Sequence, residues 1–203
     1  RAGFSCYRHV LAGRYLIQGG LNTAGAALEW VVRLGRAPAA RESGVEAFPR
    51  EIAGQVAGPG NTPPEGSTPE RGQGVPRPDG DDYEALFRAA ERSGPGARGV
   101  FCLPHFRGST SPINDAESRA CFIGLRLEHE RGDLLRAVIE GLAYYLRQNL
   151  ERMAQVGPAA AGHVLAIGGA NRQPLVLQVK ADVCNRPVWS AAVPEAVSVG
   201  AAL

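Results

Sequence analysis

The segment from residue 163 onward constrains the fold more than any other part of the chain. It reads as a strand (HVLAIGG), a helix (PLVLQVKADVCN), a second strand (RPVWSAAV) and the start of another helix (PEAVSVGAAL). Strict alternation of strand and helix marks an α/β unit, in which a crossover helix joins the strands of a sheet. Two adjacent glycines, Gly168 and Gly169, sit where the first strand ends. In open α/β sheets, ligands gather at the carboxyl ends of the strands. A residue without Cβ lets a flat ring or a phosphate approach the main chain. The helix behind it starts with unpaired N–H groups that favour anions. Pro174 suits that first turn, where its missing N–H is no loss. On its physics alone a Gly-Gly pair leaves two readings open, a nucleotide contact or a tight turn needing positive φ, with the plain turn favoured.

Upstream, residues 6–18 read as two short strands around a turn at Ala12-Gly13. A helix follows, with Thr23 as N-cap, Ala27, Leu28, Val31, Val32 and Leu34 at helical spacing, and Gly35 as its stop. Residues 36–80 then change character, with eight prolines, eight glycines and a single aromatic, Phe48. Such a run buries too little apolar surface to offset its ordering entropy. It is expected to be a mobile, disordered insertion within one domain, with a linker as the alternative. Residues 82–92 read as a helix with Leu86, Phe87 and Ala90 on one face, 99–104 as a buried strand, and 105–125 as a loop. Asp133 opens the longest helix, whose apolar face runs from Leu135 through Val138, Ile139, Leu142 and Tyr145 to Met153. Gly141 in its middle costs about 1 kcal/mol against alanine and so marks close packing against another backbone. Glu140 is read as a carboxylate paired with an arginine in preference to a general base.

Composition excludes more than it assigns. The formal net charge is +2, which gives no basic surface for nucleic acid and no electrostatic case for a membrane. No apolar run approaches the roughly 20 residues that span a bilayer. Lys180 is the only lysine among 22 basic residues. Cys6, Cys102, Cys121 and Cys184 have no metal-knuckle spacing and are expected to be reduced and mostly buried, in a cytoplasmic protein. His9, His105, His129 and His163 are scattered, so no metal site is expected. The Gly168-Gly169 turn is not a GxGxxG fingerprint, no acidic residue ends a second strand in the expected place, and the sequence has no GxxxxGK[ST] and no GxSxG, which argues against the Rossmann, P-loop and hydrolase-elbow readings.

Five collinear segments carry a resemblance. They are AGAALEWV (24–31), DYEALFRAAERSGPGARGVFCLPHFRGSTSP (82–112), FIGLRLEHERGDLLRAVIEGLAYYLRQNLE (122–151), IGGANRQPLVLQVKADVCNRPV (167–188) and PEAVSVGAA (194–202). In this order the chain resembles the C-terminal domain of the FGGY family of carbohydrate kinases, in its xylulokinase-like branch. The resemblance implies an α/β, actin-like (ribonuclease-H-like) domain, a mixed sheet with flanking helices, incomplete at both ends. It implies ATP-dependent phosphorylation of a ketose or polyol, with Mg²⁺ bound through the phosphates and through residues outside this chain. The sugar is expected on the missing N-terminal domain. Carried over by position, Gly168, Gly169 and Ala170 face the adenosine and Asn171 and Gln173 lie at the base edge. Gly25, Leu28 and Glu29 form the opposite wall. Neither nucleic acid nor membrane is implied as a partner, and a homodimer is left open.

Departures from the family pattern matter as much. Gln173 stands where the family usually has Ser or Asn, and GSTSP (108–112) replaces a Gly-Glu-Arg-x-Pro, which removes the expected ion pair. The family's Gly-x-x-Asp, which holds the catalytic base, does not occur before Ala24, and neither does its Gly-Thr-Ser phosphate loop. The chain is therefore expected to carry the adenosine side of the ATP site, no catalytic residue, and no sugar turnover alone. A non-catalytic nucleotide-binding or interaction module of the same half-fold is the alternative.

Overall fold

The structure, a computed structural model, describes residues 5–8, 15–18, 24–34, 80–156 and 162–190. The insertion up to residue 79, the turn at Ala12-Gly13, Thr23, Gly35 and the closing helix from Pro194 lie outside the described residues. Among the described residues there are four α-helices: α1 (Ala24–Arg33), α2 (Gly80–Ser93), α3 (Arg131–Val156) and α4 (Pro174–Cys184). The strands are β1 (Ser5–Arg8), β2 (Tyr15–Gln18), β3 (Phe101–Leu103), β4 (Cys121–Ile123), β5 (Val164–Ala166) and β6 (Val188–Ser190).

These strands pair two by two, not in one continuous sheet. β1 runs antiparallel to β2, with Ser5 opposite Gln18. β3 runs antiparallel to β4, with Phe101 opposite Ile123. β5 and β6 are parallel and joined through α4, the strand–helix–strand unit that the alternation at 163–190 predicts. Two expectations need correction. The region 105–125 is not all loop, because β4 lies inside it. The strand at 99–104 is also not buried throughout. Cys102 faces inward, while Phe101 and Leu103 face outward, the period-2 pattern of a strand covered on one side.

The core is built around α3, which at 26 residues runs about 39 Å. Leu135, Val138, Ile139 and Ala143 are buried there against Val31 and Val32 of α1, Leu86 and Phe87 of α2, and Val176 and Val179 of α4. Trp30 completes the seam between α1 and the β3–β4 region, lying 5.2 Å from Phe106 and 6.2 Å from Phe122. The last turn of α1 is held from a distance: Arg131 donates to the Val32 carbonyl at 2.6 Å.

Two features fix α3 in place. At its start the Asp133 carboxylate accepts from the Glu130 N–H (2.9 Å), closing the first turn as in a capping box. It also accepts from Ser93 Oγ (2.6 Å), at the end of α2, and lies 3.4 Å from Arg98. Burial works against its charge, but these donors, with His129, hold its acidity stronger than an ordinary aspartate's. In mid-helix, a Cβ at Gly141 would collide with the carbonyl oxygen of Cys102 in β3. The close approach inferred from the sequence is therefore helix against strand.

Gly141→Ala is expected to lower stability by roughly 1–3 kcal/mol through overpacking, although alanine is the better helix former. Urea unfolding checks this, and an unchanged or raised midpoint contradicts the contact. Asp133→Ala is expected to lose about 2 kcal/mol at neutral pH. Because the folded carboxyl is the stronger acid, its contribution is present above the unfolded value of about 3.9 and fades as pH falls through the folded value. The gap between wild type and variant should therefore narrow in acid. A gap constant from pH 7 downward contradicts the assignment.

Candidate functional site

β5 ends at Ala166, and the chain turns just after Ile167. Gly168 has φ 96° and ψ 165°, a region open essentially to glycine alone. Gly169–Arg172 form a single 3-10 turn, and Gln173 then leads in extended conformation to Pro174 at the start of α4. Gly168 is thus glycine for conformational reasons. Gly169 differs, because its φ is not positive and a Cβ there would meet no atom within 4 Å. Gly25, in the first turn of α1, is equally unobstructed. Nothing in the described fold requires glycine at either position, and both border open space.

Asn171 is buried, and both ends of its amide are used. Nδ2 donates to the Ile167 carbonyl at 2.5 Å, a clasp across the two glycines. Oδ1 accepts from Lys180 Nζ at 2.6 Å. An ammonium only donates, so this contact also sets which way the amide points. Burial pushes the Lys180 ammonium below the usual lysine value, with Cys184 acting weakly the other way. Gln173 is half-buried and does not cap α4 with its side chain. Glu29 is exposed and lies toward α2, where its charge adds to burial in raising the Tyr83 phenol.

Leu28 and Ala170, from the two predicted walls, do come together. They line a mostly apolar cavity of about 200 Å³ that α3 closes with Ile139, Tyr145 and Asn149 and α4 with Lys180. Gly25 and Glu29 of the first wall, and Gly168, Gly169, Asn171 and Gln173 of the second, do not line it. Tyr145, Asn149 and Lys180 were not among the residues expected at the site. Lys180 had a signal in the sequence, a lone lysine one turn after Val176 on an otherwise apolar helix face. Tyr145 was read only as part of an apolar face, and Asn149 carried no signal at all.

The loop GSTSP, which lacks the family's charged pair, is fastened by neutral groups. Ser111 Oγ donates to Asn149 Oδ1 (2.8 Å), and Asn149 Nδ2 donates to the Tyr145 carbonyl (2.8 Å). The Tyr145 hydroxyl accepts from the Ser111 N–H (3.2 Å), and Ser109 Oγ donates to the Ile113 carbonyl (2.7 Å). Glu140 is paired as expected. It accepts from Arg136 Nε at 2.6 Å and from the Gly96 N–H at 2.9 Å, so its Oε1 is already occupied by two donors. The cysteines are all free, but only Cys102 and Cys184 are buried, whereas Cys6 and Cys121 are exposed. Burial pushes the Cys102 thiol up to about 12, which keeps it protonated and unreactive. Among the described residues no three His, Cys, Asp or Glu side chains come together as a metal site.

Residues 5–203 match the C-terminal domain of the FGGY family of carbohydrate kinases. The xylulose kinase of Staphylococcus epidermidis (strain RP62A) is 32% identical over 123 residues, covering 61% of this chain and 25% of that one. The glycerol kinase of Limosilactobacillus reuteri is 33% identical over 104 residues, covering 51% and 21%. The crystal structure of xylulose kinase from Rhodospirillum rubrum superposes with a TM-score of 0.66 at 25% identity, over 96% of this chain and 31% of that one. That of Plasmodium falciparum glycerol kinase with ADP superposes with a TM-score of 0.51 at 26% identity, over 60% and 24%. The chain thus spans about a quarter of the length of the curated relatives it matches.

The two glycines should behave differently when replaced. Gly168→Ala is expected to lose roughly 1–3 kcal/mol from the backbone alone, and Gly169→Ala to stay within about 0.5 kcal/mol of wild type. Thermal unfolding of both variants checks this, and equal losses contradict the different roles.

Proposed function

The chain belongs to the FGGY family of carbohydrate kinases, and on that premise we propose that the full-length protein transfers the γ-phosphoryl group of ATP to a hydroxyl of a sugar or polyol. This chain supplies the adenosine side of the ATP site. The observation that carries the reading is Gly169 together with Gly25. Each is a glycine that the fold does not need, each faces open space, and each neighbours a residue lining the same cavity (Ala170 and Ala24). An approaching flat group accounts for both.

In this reading Gly168, Gly169 and Ala170 form one wall of the base slot, and Gly25 and Leu28 the other. Asn171 holds the turn from within through Ile167. Gln173 and Glu29 lie at the margin, toward the ribose or the base edge. The domain is one half of an actin-like, ribonuclease-H-like kinase, and the other half holds the sugar, the base that deprotonates the hydroxyl, and the phosphate loop. A bound Mg²⁺ would supply charge neutralisation on the group in transfer. The residues described here fit the base of the nucleotide and offer no carboxylate cluster for the metal. A ketose is the favoured acceptor, since xylulose kinases recur among the relatives. Placement in the cytoplasm follows from that activity; no described helix is long and apolar enough to cross a membrane.

The full-length protein, assayed with ATP against D-xylulose, D-ribulose and glycerol, is expected to phosphorylate at least one of them. Failure with all three, together with no measurable ATP binding, would sink the proposal. Gly169→Val in that protein is expected to raise KM for ATP roughly tenfold or more while leaving KM for the acceptor unchanged. An unaltered KM for ATP removes Gly169 from the site. The isolated 203-residue chain is expected to show no turnover of any acceptor.

A further inference from the structure

We infer that Lys180 reads the base of the bound nucleotide, donating a hydrogen bond from its ammonium to an acceptor on the purine ring. The inference rests on the ATP-site reading above and adds a specificity-determining residue to it. An ammonium has three donors and no acceptor. One donor goes to Asn171 Oδ1 at 2.6 Å, and among the described residues Lys180 has no other hydrogen-bond partner and no carboxylate ion pair. Its side chain lines the cavity that Leu28 and Ala170 flank. Donors left unmade in an apolar setting are costly, and an occupant that brings an acceptor removes that cost.

The other polar groups at the cavity are already engaged. Asn149 gives its amide to Ser111 and to the Tyr145 carbonyl and accepts from Ser111. The Tyr145 hydroxyl accepts from the Ser111 N–H and lies 3.2 Å from Ser109 Oγ, while Asn171, expected at the base edge by position, does not line the cavity and gives one amide N–H to Ile167 as its oxygen accepts from Lys180. Among the described residues that line this cavity, the ammonium is therefore the group with unused donors. Its walls select the class of ligand: Leu28, Ile139 and Ala170 suit the faces of a planar ring, and the ammonium suits a ring nitrogen at its edge. Adenine presents such acceptors at N1, N3 and N7.

The test uses the full-length protein and four nucleotides, ATP and its 1-deaza, 3-deaza and 7-deaza analogues, with affinities read by calorimetry. One analogue is expected to bind roughly tenfold or more weakly than ATP, because it lacks the acceptor that Lys180 meets. Lys180→Met, which keeps the length and apolar stem, is expected to bind ATP and that analogue equally. Lys180→Arg is expected to restore the preference in part. If wild type binds all four alike, Lys180 does not read the base, and the inference falls while the ATP-site reading stands. If Lys180→Met weakens ATP but keeps the full preference among analogues, Lys180 acts only through Asn171, and the inference also falls. If wild type binds none of the four, the ATP-site reading itself fails and takes the inference with it. An equal response of wild type to all four overturns the inference even if the methionine variant does not fold, and Lys180→Arg, which keeps the charge, then carries the comparison: an unaltered preference pattern and affinity in that variant also overturns it.

Discussion

The one contact on which the rest of the structure depends is α3 pressed onto β3 at Gly141. The carbonyl of Cys102 occupies the space that a side chain would fill, so helix and strand meet backbone to backbone. Positions 141, 145 and 149 then follow at intervals of four on the same helix face. Gly141 admits the strand. One turn on, Tyr145 reaches the loop at Ser109 and Ser111. A further turn on, Asn149 clasps Ser111 and borders the cavity. A single stripe of α3 thus links the strand, the loop and the candidate base slot, and a shift of the helix away from β3 would move all three.

The polar groups buried along α3 divide by position, and the division has a physical basis. Asp133, Arg136 and Glu140 lie in the first half, where each charge is met by an opposite charge or by two or more donors. Such groups are costly to bury unless fully met, and they add rigidity where α2 and the turn after it dock. In the second half, Tyr145 and Asn149 bond to serines and backbone carbonyls, with no formal charge. The absence of the Glu-Arg pair from GSTSP therefore leaves no hole, because neutral donors and acceptors fill it. Among the described residues that border the cavity, Lys180 is the only one with a formal charge.

Much of this was legible in the sequence, for identifiable reasons. The four helices are readable because each has an apolar face at helical spacing: Leu28, Val31 and Val32 in α1, and Leu86, Phe87 and Ala90 in α2, are all buried as their spacing implies. The β5–α4–β6 unit is readable because its glycines and Pro174 punctuate it. β4 was not, since three residues between Ser, Asn, Asp and Gly carry too short a period to register. The alternation within β3 was hidden because Phe101, Cys102 and Leu103 are all apolar, so only the partner surfaces decide which way each faces. At the site, Gly168 and Gly169 announced themselves as an adjacent pair at a strand end, before a helix. Asn149 and the Asn171–Lys180 contact did not, because such bonds join positions whose proximity only the packing of α3 and α4 creates.

The clasp from Asn171 to Ile167 bears on how such a turn serves catalysis. Interactions with the adenosine lie far from the phosphoryl group in transfer, and binding that is equal in ground and transition states does not raise kcat. It contributes to rate only if it fixes where the phosphates lie when the protein closes over its substrates. A glycine-rich turn left loose would bind the base and lose that geometry. Here the turn is closed from inside by a buried amide whose two ends are both held, one by Ile167 just after β5 and one by Lys180 of α4. Under the proposed function, the glycines would keep the outer surface clear for the nucleotide, and the amide behind them would supply the stiffness that glycine lacks.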